Sequence, residues 1–118
     1  MQPYRLSAAA RADIVDILAW SLEQFGESAS RRYEALLVAA LQDVATEPAG
    51  AGSRKRPELG KGVRAWHLLS SRDHVTMDQV RQPRHFLIYR VEPGLIVIGR
   101  VLHETMDLAR HLDPASWE

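Results

Sequence analysis

The sequence predicts an α+β fold in a single domain that spans residues 1–118. Helical periodicity fills the first half of the chain, and strand-like apolar runs fill the second half. Helices that precede a run of strands are typical of α+β domains, and the length suits one compact domain. We expect an N-terminal strand and an antiparallel helical hairpin packed on a small antiparallel β-sheet, followed by a short C-terminal helix.

The first half begins with a short strand that leads into a helix. Residues 3–6 form the strand, and Pro3 favours the sheet edge, where a missing N–H donor is tolerated. Ser7 is suited to cap the helix because its hydroxyl can accept a hydrogen bond from a free backbone N–H. The helix over residues 8–25 contains no Gly or Pro, and Gly26 is placed to end it in a left-handed conformation.

A second helix begins near Ser28 or Ser30 and ends before Pro48. Its apolar stripe is made of Tyr33, Leu36, Leu37, Ala40, Leu41 and Val44. The first helix offers a face made of Ala10, Ile14, Leu18 and Phe25, with Ile17 and Trp20 beside it. The short link between the helices predicts an antiparallel hairpin. We expect Trp20 in the core rather than at an interface, and Trp66 in the core as well.

Period-two patterning in the second half predicts three strands, over residues 63–69, 85–91 and 95–102. The third is apolar on both faces and therefore lies centrally in the sheet, after a turn at residues 92–94. Residues 49–62 are glycine-rich and form a loop, and the polar residues 70–84 form a long connection. The short C-terminal helix covers residues 104–112. Trp117 follows in a tail that we expect to be mobile.

The net charge of zero hides an uneven distribution of charged residues. Residues 1–50 carry four basic and seven acidic side chains, residues 51–90 carry nine and three, and residues 91–118 carry two and five. A basic segment between two acidic ones indicates one cationic face, either a binding face or a solvated basic loop. It does not indicate a general nucleic-acid-binding surface, so we expect no direct DNA binding.

Several classes of protein are excluded by what the sequence lacks. Without cysteine there is no disulfide framework, thiolate nucleophile or cysteine-ligated metal. The histidines show no helical pairing with a carboxylate, and no glycine loop joins a strand to a helix, so we expect no metal and no cofactor. No apolar run approaches the roughly 20 residues that span a bilayer, so we expect a cytoplasmic protein that does not enter membranes.

The candidate functional cluster on the predicted strands consists of Arg64, Tyr89, Arg90, Arg100 and His103. With the hairpin on one face of the sheet, several of these side chains are expected on the other, open face. Guanidinium groups there could bind a polyanion, or His103 could transfer a proton during RNA cleavage. The alternative for Arg64 and Arg100 is a salt bridge to Glu104 or Asp107, and for His103 it is a hydrogen bond to backbone.

Four motifs follow one another along the chain, at residues 4–14 (YRLSAAARADI), 62–64 (GVR), 83–90 (PRHFLIYR) and 98–107 (IGRVLHETMD). In this order they resemble the ParE-type toxins of bacterial type II toxin–antitoxin systems, within the RelE/ParE superfamily. The last motif is the most specific, because Arg-Val-Leu-His is followed by an acidic residue four positions on. Residues 70–82 depart from the family, since this segment is longer than the tight turn that most members have.

The resemblance implies a RelE/ParE-like fold and a toxin that inhibits DNA gyrase by binding it, as ParE-type members do. It implies target-binding roles for Arg64, Arg84, Tyr89, Arg90, Arg100 and His103, with no catalytic residue. RelE-type members instead cleave mRNA on the ribosome, and in that alternative Arg64 and His103 would be catalytic. No tyrosine follows His103, which favours the ParE branch.

The resemblance also implies a cognate ParD-like antitoxin with a ribbon–helix–helix part and a helical segment that wraps the toxin. Helix-in-groove binding is a common recognition mode, and the helical hairpin offers such a groove. Ile17, Trp20 and Tyr33 are the expected antitoxin contacts, and the competing interpretation is that all three are core residues. A third hypothesis is a non-toxic family member that only pairs with a DNA-binding partner.

Overall fold

A computed structural model of the protein describes residues 1–76 and 78–118. Helices α1 (Ala8–Phe25) and α2 (Glu27–Thr46) form a hairpin against one five-stranded sheet. The strands are β1 (Tyr4–Leu6), β2 (Ser53–Lys55), β3 (Val63–His67), β4 (His85–Glu92) and β5 (Leu95–His103). Short 3-10 turns cover Pro57–Leu59, Leu68–His74, Leu108–His111 and Pro114–Trp117. The predicted α+β class is confirmed.

The sheet has the strand order β1-β5-β4-β3-β2. Strand β5 is central, as predicted, and β1 lies at an edge. Strands β3, β4 and β5 are antiparallel, as predicted, whereas β1 pairs parallel with β5, so the whole sheet is mixed. The loop predicted over residues 49–62 contains strand β2, which pairs with β3 despite the glycines around it. The predicted strand over residues 63–69 ends at His67, where a 3-10 turn begins.

The hairpin follows the predicted helix signals closely. Ser7 Oγ accepts a hydrogen bond from Ala10 N at 2.9 Å and so caps α1. Gly26, with φ of 91°, separates the two helices, and α2 begins at Glu27, one residue before the earlier of the two predicted starts. The predicted stripe of α2 is buried against the sheet from Leu36 to Val44. Trp66 is in this core, as predicted, with 6% of its surface exposed.

The predicted core position of Trp20 on α1 is wrong, and Phe25, on the predicted apolar face, is exposed as well. Trp20 is 56% exposed and Phe25 is 67% exposed, and their rings contact each other edge to face with centroids 5.5 Å apart. Both lie beyond the part of α1 that packs on the sheet, where Ala10 is fully buried. The helical period places a residue on a face, but it does not tell how far along the helix the core extends.

The second face of the sheet is covered, which contradicts the prediction of an open functional face. The C-terminal segment crosses it, and Leu108, Leu112 and Trp117 pack with Ile88 and Leu102. The short C-terminal helix predicted over residues 104–112 is a single 3-10 turn at Leu108–His111, and a second 3-10 turn follows at Pro114–Trp117. Trp117 is not in a mobile tail, since its ring packs over the β5 backbone so closely that a Cβ on Gly99 would lie 2.6 Å from it.

One carboxylate joins the three layers of the fold. Asp13 on α1 accepts hydrogen bonds from Arg100 Nε at 2.7 Å and from Arg100 Nη2 at 2.9 Å. It also accepts a hydrogen bond from the backbone N–H of Val101 at 2.9 Å. Val101 lies beyond Ile98, which is the last β5 residue that pairs with β1. Arg100 Nη1 donates to the carbonyl of His111 at 2.6 Å in the C-terminal segment. We call this set the Asp13–Arg100 junction.

Replacing Asp13 with Asn should destabilise the protein by about 2–4 kcal/mol, because half-buried Arg100 loses its charge partner. Urea unfolding followed by circular dichroism measures the change. Asp16→Asn is the matched control, since Asp16 is an exposed residue of the same helix, and it should change stability by less than about 0.5 kcal/mol. Equal stability of the Asp13→Asn protein and the wild type would contradict a stabilising role for the junction.

Candidate functional site

A groove of about 1210 Å³ lies between the helical hairpin and the end of the sheet where β4 begins and β5 ends. One wall is formed by Ile17, Trp20, Phe25 and Tyr33 of the hairpin. The other wall is formed by residues 78–82 together with Arg84, His85, His103, Thr105 and Met106. We call this cavity the hairpin groove.

Large apolar side chains are exposed along the hairpin groove. Trp20 and Phe25 are more than half exposed, and Met106 on the opposite wall is 43% exposed. Apolar side chains that are gathered in a concave surface mark interaction sites more often than scattered ones do. The groove therefore has the surface chemistry of a docking site for an apolar partner.

The end of the hairpin groove is formed by a tyrosine and two histidines. His85 and His103 face each other on β4 and β5, with ring centroids 5.2 Å apart. Tyr33 Oη lies 2.6 Å from Nδ1 of His85 and accepts the backbone N–H of Arg84 at 3.1 Å. Nδ1 of His103 accepts the backbone N–H of Thr105 at 3.2 Å. Hydrogen bonds thus fix the Nδ1 side of both imidazole rings.

Burial makes the Tyr33–His85 pair electrically neutral. Burial, followed by the nearby His103 and His67, lowers the pKa of His85 from 6.5 to about 4. Burial also raises the pKa of Tyr33 from 10.0 to about 12. Near neutral pH, His85 therefore adds no positive charge to the groove, and its ring acts as a polar hydrogen-bonding surface.

A carboxylate bridges two basic side chains at this end of the sheet. Glu104 Oε1 accepts a hydrogen bond from Arg84 Nη1 at 2.8 Å, and Glu104 Oε2 lies 2.8 Å from His67 Nε2. The hydrogen bonds from Arg84 and from His67 lower the pKa of Glu104. Arg84 is therefore already paired within the chain, although its side chain is 56% exposed.

The three predicted antitoxin contacts lie together in the hairpin groove. Ile17 and Tyr33 are half-buried and Trp20 is exposed, and all three line the cavity. Ile17 and Tyr33 also pack against the main core, so the core interpretation holds in part for these two. The grouping of the three agrees with the expected geometry, and their role in binding an antitoxin stays a prediction.

The six predicted target-binding residues do not share one face. Tyr89 packs in the core between the sheet and the helices, and Arg64, its partner on β3, projects to the same side of the sheet. His103 also projects to that side, because it lies two residues beyond Val101 of the same core. Arg90 projects to the opposite side, where its guanidinium carbon lies 4.9 Å from the centre of the Trp117 ring. Arg100 is held in the Asp13–Arg100 junction, so a salt bridge was correctly considered for it, although to the wrong acids.

Tyr89 cannot contact a partner in this structure because it is fully buried. Its hydroxyl donates to the carbonyl of Pro48 at 2.6 Å and lies 2.5 Å from Ser53 Oγ. Ser53 Oγ in turn accepts a hydrogen bond from Arg64 Nε at 2.7 Å. Arg64 therefore has no salt bridge to Glu104, which instead pairs with Arg84 and His67 at the other end of the sheet.

Three residues of the hairpin groove were not predicted as site residues from the sequence. His85 has a signal, since it opens a strand directly after the motif residue Arg84. Phe25 was placed on the apolar face of α1 because it follows the helical period. Met106 lies in a segment predicted to be helical, and no sequence pattern marks it. In the part of the chain that the structure describes, no group of three or more potential ligands could hold a metal ion.

Comparisons with known proteins agree with this architecture. The chromosomal ParDE toxin–antitoxin system of P. aeruginosa has a chain of the same fold, with a TM-score of 0.61 and 20% identity over 87% of this chain and 96% of that chain. The RelBE2 toxin–antitoxin complex of Mycobacterium tuberculosis gives a TM-score of 0.53 and 22% identity, over 86% and 96% of the two chains. The fold is thus shared with a chain of each of these two toxin–antitoxin systems.

Sequence comparisons identify the branch within that class. The sequence profile for the ParE toxin of the type II toxin–antitoxin system parDE matches residues 4–108. Toxin ParE1 of Caulobacter vibrioides is 33% identical over 112 residues, which cover 95% of this chain and 99% of that protein. The chain belongs to the ParE toxin family, and the resemblance inferred from the four motifs is confirmed. No described helix is long and apolar enough to cross a membrane.

The stability of the protein should fall as the pH drops from 6.5 towards 4. Since burial lowers the pKa of His85 to about 4, the unfolded chain binds more protons than the folded chain across this range. In His85→Gln, the new amide can still accept a hydrogen bond from Tyr33. Between pH 7 and pH 5 this variant should lose about 1 kcal/mol less stability than the wild type does. Urea unfolding at the two pH values measures it.

The control for this pH test is His111→Gln, which replaces an exposed histidine outside the groove. Its dependence on pH should match that of the wild type. If His85→Gln kept the full wild-type loss of stability between pH 7 and pH 5, the assignment of a buried, neutral His85 would be wrong.

Proposed function

We propose that this chain is a toxin that inhibits DNA gyrase by binding it, and that a cognate ParD-like antitoxin neutralises it in the cytoplasm. Membership of the ParE family supports the gyrase target, because ParE-type toxins are associated with that enzyme. The toxin–antitoxin systems named for both structural neighbours support an antitoxin partner.

The spacing of Arg64 and His103 supports binding rather than RNA cleavage. Arg64 pairs with Tyr89 and His103 pairs with His85, so the two residues differ by four positions along β4. At about 3.3 Å per residue, they are separated by about 13 Å along the strand direction alone. A general acid or base must come within about 3 Å of the group that it serves. In this structure Arg64 is hydrogen-bonded to Ser53 and His103 to Thr105, so the two side chains do not converge on one site.

The hairpin groove supports an antitoxin contact. An amphipathic helix of the antitoxin would lay its apolar side chains, spaced three and four residues apart, on Trp20, Phe25 and Met106. The polar end of the groove, formed by Tyr33, His85 and His103, would receive a hydrogen-bonding side chain of the same helix. Aromatic side chains in such concave surfaces commonly carry a large share of the binding energy.

Purified gyrase and mRNA integrity together test the proposed target. We expect the purified chain to inhibit supercoiling by gyrase, with no cleavage of mRNA when the chain is induced alone in a bacterial host. Cleaved mRNA together with normal supercoiling would overturn the proposal in favour of a ribosome-dependent endoribonuclease. A chain that causes no growth defect, leaves supercoiling normal and leaves mRNA intact would instead be a non-toxic family member.

Replacing Trp20 with Glu should weaken binding of the antitoxin by ~30-fold or more, which corresponds to about 2 kcal/mol, the usual threshold for a hot spot. The binding partner is the ribbon–helix–helix protein that we expect to be encoded beside this chain, and calorimetry measures the affinity. The fold should be unchanged, because Trp20 is more than half exposed.

Val15→Glu is the matched control for the Trp20 variant. Val15 is an exposed apolar residue of the same helix, and it does not line the hairpin groove. Its substitution should leave the affinity for the antitoxin within about twofold of the wild type, as is usual for residues outside an interface core. Equal losses in both variants would show that the antitoxin does not use the groove.

A further inference from the structure

A second, smaller cavity lies at the opposite end of the sheet from the hairpin groove. Its volume is about 360 Å³, and it lies between β2, β3 and the chain that follows α2. Two cations line it, Lys55 and Arg64, and its walls are apolar, with Pro48, Pro57, Val63 and Val91 among them. The described residues that line it include no acid. We call it the Lys55–Arg64 pocket.

The two cations lie on neighbouring strands of the sheet. Lys55 on β2 and Arg64 on β3 are direct partners in the antiparallel register, so their side chains leave the same face side by side. Like charges directly opposite one another destabilise a pair of strands. No salt bridge to either side chain is found among the described residues. An anion between the two would relieve this repulsion.

Arg64 is oriented by a chain of buried hydrogen bonds. Its Nε donates to Ser53 Oγ, Ser53 can donate to the Tyr89 hydroxyl, and Tyr89 donates to the carbonyl of Pro48. Ser53 is 6% exposed and Tyr89 is fully buried, so the chain is shielded from water. This arrangement holds Nε and leaves the two terminal nitrogens of the guanidinium group for a ligand. Such a fork matches the geometry of a carboxylate or a phosphate.

We infer that the Lys55–Arg64 pocket binds a carboxylate side chain, Asp or Glu, presented by a protein partner between apolar neighbours. The inference rests on the proposed function only in taking the partner to be a protein. Arg64 would bind the two carboxylate oxygens with its terminal nitrogens, and the Lys55 ammonium would supply the second positive charge. Tyr89 and Ser53 are positioning residues, because they act through Arg64.

The walls of the pocket favour a carboxylate over the phosphates of a nucleic acid. Single-stranded nucleic acid binds to aromatic side chains on which its bases stack, and none of the described lining residues is aromatic. Tyr89 is the aromatic side chain next to Arg64, and it is buried. Neighbouring cations are partly neutralised, since Arg56 pairs with Glu58 and Arg90 pairs with Glu92. Apolar walls suit the residues that flank an acidic side chain in a protein segment.

Nuclear magnetic resonance of the full-length, ¹⁵N-labelled chain tests the inference through the Nε–H signal of Arg64. The probes are the blocked peptide acetyl-Leu-Glu-Leu-amide, its counterpart with Gln in place of Glu, and the dinucleotide UpU. We expect the Glu peptide to shift the signal saturably. The Gln peptide should bind at least about tenfold more weakly, since its neutral amide cannot form charge-assisted hydrogen bonds. UpU should also bind at least about tenfold more weakly, because none of the described lining residues is an aromatic side chain on which its bases could stack.

Variants separate the pocket from the charge of the surrounding surface. With backbone amide signals as the readout, Lys55→Gln and Arg64→Gln should each abolish saturable binding of the Glu peptide. Arg56→Gln is the control, because it removes one nearby positive charge that is already paired with Glu58. It should leave the affinity for the peptide unchanged. Lys55→Gln should also raise the melting temperature at low salt, and that increase shows that the variant folds.

Equal binding of the Glu and Gln peptides would overturn the inference, as would binding that survives in Arg64→Gln. Tighter binding of UpU than of the Glu peptide would overturn it in favour of a nucleic-acid phosphate. The outcome is independent of the gyrase assay. A chain that binds the Glu peptide at Arg64 but leaves gyrase active would refute the proposed target and support the pocket assignment. A chain that inhibits gyrase but does not bind the Glu peptide would support the target and refute the pocket assignment.

Discussion

The structure depends on one carboxylate, that of Asp13, which joins the helical hairpin, the central strand and the C-terminal segment. Strand β1 covers the edge of β5 only as far as Ile98, so the β5 backbone beyond that point needs other partners. Ser7 Oγ supplies one by donating to the carbonyl of Gly99 at 2.7 Å, and Asp13 supplies the next by accepting from Val101. Arg100 extends this connection to the far side of the sheet through the carbonyl of His111.

The two candidate binding sites follow from this arrangement. Because the junction holds α1 against β5, the end of the hairpin projects past the packed core and leaves Trp20 and Phe25 exposed over the groove. At the opposite end of the sheet, α2 has ended and the chain turns back to form β2, which places Lys55 beside Arg64. One end exposes large apolar side chains beside the neutral His85, and the other presents two cations, so the chain offers two surfaces of different chemistry.

The sequence predicted the fold because its local signals are strong. The Ser7 cap, the Gly26 break and the α2 stripe each act within a few residues, and each agrees with the structure. The central position of β5 followed from its apolar residues on both faces. The motifs identified the family, but they could not tell that the C-terminal segment covers the second face, because Trp117 reaches Gly99 through contacts that are distant in sequence. Several of the five cluster residues were expected on one open face, but Tyr89 and Arg90 are neighbours on β4 and so project to opposite sides of the sheet.

Amide hydrogen exchange at Val101 tests directly whether the Asp13 side chain of α1 completes the hydrogen bonding at the edge of the central strand. The Val101 amide lies beyond the β1 pairing, so its protection depends on the Asp13 carboxylate. If the account is correct, this amide exchanges as slowly as the interior amides of β4, through global unfolding. Exchange at the rate of an open strand edge, while β4 stays protected, would contradict it.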